Sequence, residues 1–280
     1  QHIYNVSLQL RKGAVYSTTT TALFRIAPTV YLGATLLAFL FIPIADLEPL
    51  LSFHGDIILV AYLLALSRVA IILAAMDTGS SFEGMGAARE ALYGALVEPA
   101  LMMGLATLAL FCGYSSFADI FSMAQELDMN LTIVLLMVAY VFVVIMIIEA
   151  GRVPVDDPKT HLELTMIHEA MLLDVGGVDL AFALYAAALK FMLLAAFLVT
   201  MFIPQSGNAW VHLASVFGGV AFISLVTGIV ESITARVRFF KTPQMLLGAL
   251  LMASLAVFFL YAYVGNFRLY YARIFGAFKN

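Results

Sequence analysis

From Asn130 to Ile148 the chain runs for nineteen residues without a charge. Six further runs of similar length are almost as apolar, at about 26–45, 57–76, 91–113, 179–203, 209–231 and 243–264. A helix that spans a bilayer needs about 20 mostly apolar residues. A membrane barrel strand needs only about 9–11, and they must alternate. These runs are too long and too continuous for strands. They predict an all-α polytopic membrane protein with seven transmembrane helices in this chain, forming a single transmembrane domain over 1–280. Composition agrees: 63% of residues are hydrophobic and 11% charged, against about 45–50% and about 25% in soluble domains. A soluble fold of this length could not hide so much apolar surface. The net charge of −4 comes with no basic patch, so nucleic acid is not an expected partner.

Lysine and arginine predict the orientation. Arg11, Lys12 and Arg25 precede the first run, and Arg89 follows the second. Arg152 and Lys159 follow the fourth, and Arg236, Arg238 and Lys241 follow the sixth. The loops between, 46–56, 114–129 and 204–208, have none. The positive-inside rule puts the basic set in the cytoplasm. Cytoplasmic loops are therefore expected at about 1–25, 77–90, 150–178 and 232–242. The tail "NFRLYYARIFGAFKN" carries Arg268, Arg273 and Lys279 against this pattern, and its aromatic, amphipathic character suits an interfacial position. The chain opens on "QHIYNV", inside the first expected loop.

Charges within the runs are few. Arg68 lies mid-way along the second, Lys190 mid-way along the fifth and Glu98 about two turns into the third. Glu149 closes the fourth and Glu231 the sixth, positions that water can reach at a helix end. A charge near the bilayer centre costs at least about 2.5–3.5 kcal/mol, and such groups face the bundle interior. Two readings follow. Glu98, Glu149, Glu163 and Glu169 form a proton or ion path, with Arg68, Arg89 and Lys190 tuning it. Alternatively, Arg68 and Lys190 are fixed counter-ions of Glu98 or Glu149. Asp77, Arg89, Arg152, Arg236 and Arg238 flank the runs as structural or charge-pairing candidates. The single cysteine, Cys112, cannot form an internal disulfide. Nor can it hold an iron–sulfur cluster, which takes about four ligands.

The densest charge lies in "EAGRVPVDDPKTHLELTMIHEAMLLD", Glu149 to Asp174. Asp157 suits a helix N-cap and Pro158 the first helical position. The predicted short cytoplasmic helix runs to about Leu173 and stops at Gly176–Gly177. His161, Thr165 and His168 share one face, with Glu169 near its edge, while Glu163 and Asp174 share another. Three readings stay open here. His161, His168 and Glu169 are metal-ligand types, although no HExxH is present and the histidines are two turns apart. The stretch also reads as a solvated loop, or as a loop that docks a partner and carries protons to it.

At this stretch the chain resembles the membrane subunit 1 family of complex I. "EAGRVPVDDPKTHLEL" is similar to that family's loop, E-x-N-R-x-P-F-D-x-P-E-x-E-x-E-L, through Glu149, Arg152, Pro154, Asp156, Pro158, Glu163 and Leu164. "GMGAAREALYGALVEP" resembles the family's L-G-A-x-R stretch and the glutamate in the next helix, here Arg89 and Glu98. "ARVRF", with Arg236 and Arg238, is similar to P-R-x-R before the last helix. The departures point to the branch of group 4 energy-converting nickel–iron hydrogenases and formate hydrogenlyases. They are "MDTGSSF" in place of a tryptophan-containing stretch, "ARE", "VEP", and the intramembrane Arg68 and Lys190. His161 replaces a family glutamate in a loop that borders the quinone cavity of complex I, so the resemblance does not carry quinone binding across.

The resemblance implies eight helices in the family fold, the first of them not in this chain. It implies a non-catalytic subunit of an oxidoreductase complex in the inner, cytoplasmic membrane, with its arm-facing loops in the cytoplasm. Such a subunit anchors hydrogenase-like large and small iron–sulfur subunits, which carry the nickel–iron and iron–sulfur centres. It passes the redox event to antiporter-like membrane subunits that move protons or sodium. The expected ion-coupling set is Glu98, Glu149, Asp156, His161, Glu163, His168, Glu169, Lys190 and Glu231, with no cofactor or metal bound by this chain. The alternatives are a quinone-binding subunit of an NADH:quinone oxidoreductase and a stand-alone secondary transporter, whose mark would be an inverted repeat.

Overall fold

The computed structural model describes residues 2–43, 49–113, 116–123, 129–151, 167–203, 209–233 and 242–276. These hold α1 (His2–Leu10), α2 (Ala22–Phe39), α3 (Asp56–Asp77), α4 (Ser81–Cys112) and α5 (Phe117–Met123). They continue with α6 (Met129–Glu149), α7 (His168–Met171), α8 (Gly177–Phe202), α9 (Ala209–Ile233) and α10 (Thr242–Gly276), and no strand is found among the described residues. Seven helices, α2, α3, α4, α6, α8, α9 and α10, are long and apolar enough to cross a membrane. They coincide, apart from their ends, with the seven runs of the sequence.

Two helices exceed the expected runs. Residues 81–90 form the first turns of α4 where a loop was predicted. At about 1.5 Å per residue, its 32 residues reach about 48 Å, well beyond the roughly 30 Å hydrocarbon layer. The apolar run marks only the part inside lipid. The preceding turns, with Glu83, Arg89 and Glu90, remain helical because Glu83, Ala87 and Glu90 are buried against neighbours. The helix ends at Gly113, whose left-handed φ of 74° lets its N–H bond the Ala109 carbonyl at 2.9 Å. α10 likewise continues to Gly276, beyond the expected 264.

Packing follows membrane rules, in which close approach of small residues replaces the hydrophobic drive. Among the described residues of α10 the buried side chains are Thr242, Leu246, Ala249, Ala253, Ala256 and Leu260, a spacing of fours and threes. This stripe lies against α4 and α6. α6 is the most enclosed span and α9 the least. Phe142 of α6 fills the space left by Gly104 of α4, where a β-carbon would sit 3.2 Å from the ring. The same ring packs on Phe197 of α8 with centroids 4.5 Å apart.

Polar groups tie the ends together. Asp56, fully buried at the start of α3, accepts the Phe117 N–H at 2.9 Å and the Ser116 hydroxyl at 3.0 Å, which fixes α5. At the other end of α3, Asp77 accepts the backbone N–H of Thr21 at 2.7 Å and its hydroxyl at 2.9 Å, which anchors the first turn of α2. The expected loop at 1–25 contains α1, which packs on α8. Tyr16 donates to Asp179 at 2.7 Å, and that bond, with desolvation and the aspartate charge, pushes its phenol above the ordinary 10.0. Gly177 opens α8 with φ +61°, and a β-carbon there would lie 2.7 Å from the Gly13 carbonyl. Only glycine meets both demands.

Candidate functional site

Three α4 positions set up the site: Glu90, Gly94 and Glu98, four residues apart and so on one face. Opposite them, α3 presents Arg68. A β-carbon at Gly94 would lie 3.0 Å from Arg68 Nη1 and 3.1 Å from its Cδ. The glycine therefore makes the room into which the guanidinium extends. Arg68 then meets a different carboxylate with each nitrogen. Nε lies 3.2 Å from Glu90 Oε1, Nη1 donates to Glu98 Oε1 at 3.0 Å, and Nη2 pairs with Glu149 Oε1. The other oxygen of Glu149 accepts from Lys190 Nζ of α8 at 2.9 Å. The lysine lies over the Tyr31 ring of α2, 5.2 Å from its centroid.

The cluster thus joins α2, α3, α4, α6 and α8. Its side chains are 4–6% exposed, except Glu98, which is 44% exposed. Such burial is tolerable only because each charge has an opposite partner. The planar, five-donor guanidinium can serve three carboxylates at once, which an ammonium cannot. Arg68 and Lys190 supply two positive charges against three from Glu90, Glu98 and Glu149, so the fully ionised set is one negative charge in excess. A proton gained or lost by any carboxylate changes how Arg68 is shared among the rest. The arrangement can therefore carry a charge displacement between helices.

Of the residues singled out in the sequence, the structure brings Arg68, Lys190, Glu98 and Glu149 together. Glu149 departs from expectation in being buried rather than washed by water at a helix end, because Lys190 and Arg68 close over it. His168 opens α7, with Nε2 3.7 Å from Glu90 Oε2. Glu169 beside it is exposed, and Glu231 is half-buried in the last turn of α9. Arg89 turns to Met85, donating to its sulfur at 3.0 Å. Asp77 serves as the cap partner of α2 described above. Arg152, Asp156, His161, Glu163, Arg236 and Arg238 lie outside the described residues, as does most of the predicted helix after the fourth span. Its described part is the single turn α7, which ends at Met171 rather than Leu173. Among the described residues no three of His, Cys, Asp and Glu are grouped to hold a metal. The lone Cys112 donates to the Ile120 carbonyl at 3.5 Å and does not fit an iron–sulfur cluster.

Glu90, Gly94 and Tyr31 were not singled out from sequence, nor was Glu83. Glu83 is fully buried and accepts the Asp174 N–H at 2.8 Å, which ties the segment after α7 to the start of α4. The spacing of Glu83, Glu90 and Glu98, seven and eight residues with Gly94 between, was the signal that could have found them. It counts only once the helix is known to begin at Ser81.

Residues 1–262 match the NADH dehydrogenase family. Hydrogenase-4 component C of Escherichia coli (strain K12) is 32% identical over 238 residues, covering 82% of this chain and 74% of that protein. Formate hydrogenlyase subunit 4 of the same organism is 29% identical over 235 residues, covering 79% and 73%. In structure, the chain is similar to one from the membrane-bound sulfane sulfur reductase, an archaeal respiratory membrane complex. The TM-score is 0.79 at 21% identity, over 93% of this chain and 86% of that one. The apolar spans, the shared architecture and these relatives together mean that the chain belongs to the NADH dehydrogenase family, as a polytopic membrane protein akin to hydrogenase-4 component C.

Proposed function

We propose that this chain is the membrane-anchor subunit of a multisubunit redox complex of the energy-converting hydrogenase or formate hydrogenlyase type. In this reading it links a peripheral electron-transfer arm to proton or sodium translocation. The observation that carries it is the Arg68 cluster. A buried guanidinium shared among Glu90, Glu98 and Glu149, with Lys190 behind, is costly for a mere anchor and suited to a subunit that transmits charge. Its kinship with membrane subunits of hydrogenase-4 and formate hydrogenlyase supports the same role. The nickel–iron and iron–sulfur centres belong to hydrogenase-like large and small subunits, and the translocating partners are antiporter-like membrane subunits. The basic loops face the cytoplasm across the inner membrane.

The test is the metal and subunit content of the gently solubilised native complex. Nickel with iron, alongside a large hydrogenase-like subunit, is the expected result. Iron and flavin without nickel would move the assignment to an NADH:quinone oxidoreductase. A metal-free single chain would overturn the complex altogether and favour a transporter.

A further inference from the structure

Glu90 spends one oxygen on Arg68 and keeps the other, Oε2, buried with no hydrogen-bond partner. Buried carboxylate oxygens are rarely left so. This one faces His168 Nε2 at 3.7 Å, just beyond hydrogen-bond reach. The imidazole sits in a cradle made for it. Gly151, two residues past Glu149, has φ +57°, and a β-carbon there would lie 2.9 Å from His168 Nδ1. His168 is 25% exposed where Glu90 is 6% exposed, so it stands between solvent and the cluster. It is also the charge the cluster lacks, since a protonated imidazole would balance three carboxylates against Arg68 and Lys190.

We propose that His168 of α7 takes up and releases a proton at the edge of the Arg68 cluster, closing its Nε2–H onto Glu90 Oε2 when it is protonated. The inference rests on the coupling role above and names where the charge enters. The step is a simple protonation. Nε2 takes a proton from hydronium: the N–H bond forms as an O–H bond breaks and water leaves, nothing is oxidised, and release reverses it. Closing the 3.7 Å gap draws Glu90 toward the imidazole and leaves Arg68 more fully to Glu98 and Glu149. α7 packs on α3 and α4. The ionisable groups of those elements are Asp56, Tyr62, Arg68 and Asp77 on α3, and Glu83, Arg89, Glu90, Tyr93, Glu98 and Cys112 on α4. Glu149 ends α6 beside the cradle, and Glu169 and Asp174 flank His168 on its own segment.

The experiment is hydrogen–deuterium exchange at the histidine C2 position, read by mass spectrometry on the intact complex across pH. The exposed His54 serves as internal reference. Glu90→Gln is expected to move the His168 profile to lower pH by about one unit, leaving His54 unmoved, because the facing negative charge is gone. Superimposable His168 profiles would overturn the proposal, whatever the complex pumps. Should Glu90→Gln fail to assemble, His168→Gln decides. Ion uptake per redox turnover in the wild type is expected to show a step between about pH 5 and 8, and the variant should lack it. A step that persists unchanged in His168→Gln would equally overturn the proposal.

Discussion

Arg68→Ala is expected to destabilise the subunit by about 3–5 kcal/mol, the range for breaking a buried ion pair from one side. The loss comes less from the missing attraction than from what is left behind. Glu90 and Glu149 are 5–6% exposed, and without the guanidinium Glu90 faces only the His168 imidazole while Glu149 keeps only Lys190. Membrane complexes carrying the variant should melt earlier and shed this subunit on detergent extraction. Arg68→Lys should recover only part of the loss, because one ammonium cannot reach three carboxylates. Combining Arg68→Ala with Glu149→Gln should cost less than the sum of the two, since the second change removes a charge that the first strands. A complex with Arg68→Ala that melts with the wild type would refute the pairing.

Lys190→Ala is expected to cost about 2–4 kcal/mol, less than Arg68→Ala. Glu149 would keep Arg68 as partner, so no carboxylate is left wholly alone. What goes is one charge-assisted hydrogen bond at 2.9 Å, about 1.5–3 kcal/mol. The contact of the ammonium with the Tyr31 ring goes too, worth up to about 2 kcal/mol when desolvated. Lys190→Arg should not restore stability, because the larger fork has to enter the space between Tyr31 and Glu149. The ordering matters more than either magnitude. A loss from Lys190→Ala larger than that from Arg68→Ala would mean that Lys190, and not Arg68, organises the cluster.

The seven spans were legible because lipid imposes length and polarity on each helix separately, and no tertiary information is needed to count them. Arg68, Lys190 and Glu98 were legible for the same reason, since a charge inside such a run has to find a partner. Glu90 was not. It lies outside the apolar run, where the polar turns of α4 look like a loop until their burial against α7 and α3 is seen. Glu149 was legible as a residue but not in its environment. Its position at a helix end suggests hydration, whereas its partners come from residues 68 and 190, far away in the chain. Gly94 and Gly151 matter only through what stands opposite them, Arg68 and His168, and nothing local in the sequence reveals that. The family pattern in "EAGRVPVDDPKTHLEL" drew attention to the right end of α6, while Asp156, His161 and Glu163 within it lie outside the described residues.

Glu149→Gln tests the coupling role most directly. Glutamine is nearly isosteric and keeps one acceptor oxygen for Arg68 or Lys190 while its NH2 faces the other, so the subunit should assemble at some cost in stability, but the side chain can no longer change charge. The complex is placed in sealed vesicles, and redox turnover and ion uptake are followed together. The expected result is redox turnover within about twofold of wild type, with ion uptake per turnover reduced about tenfold or more because the central carboxylate can no longer change charge. Ion uptake per turnover equal to wild type in a fully assembled Glu149→Gln complex would contradict a coupling role for the Arg68 cluster.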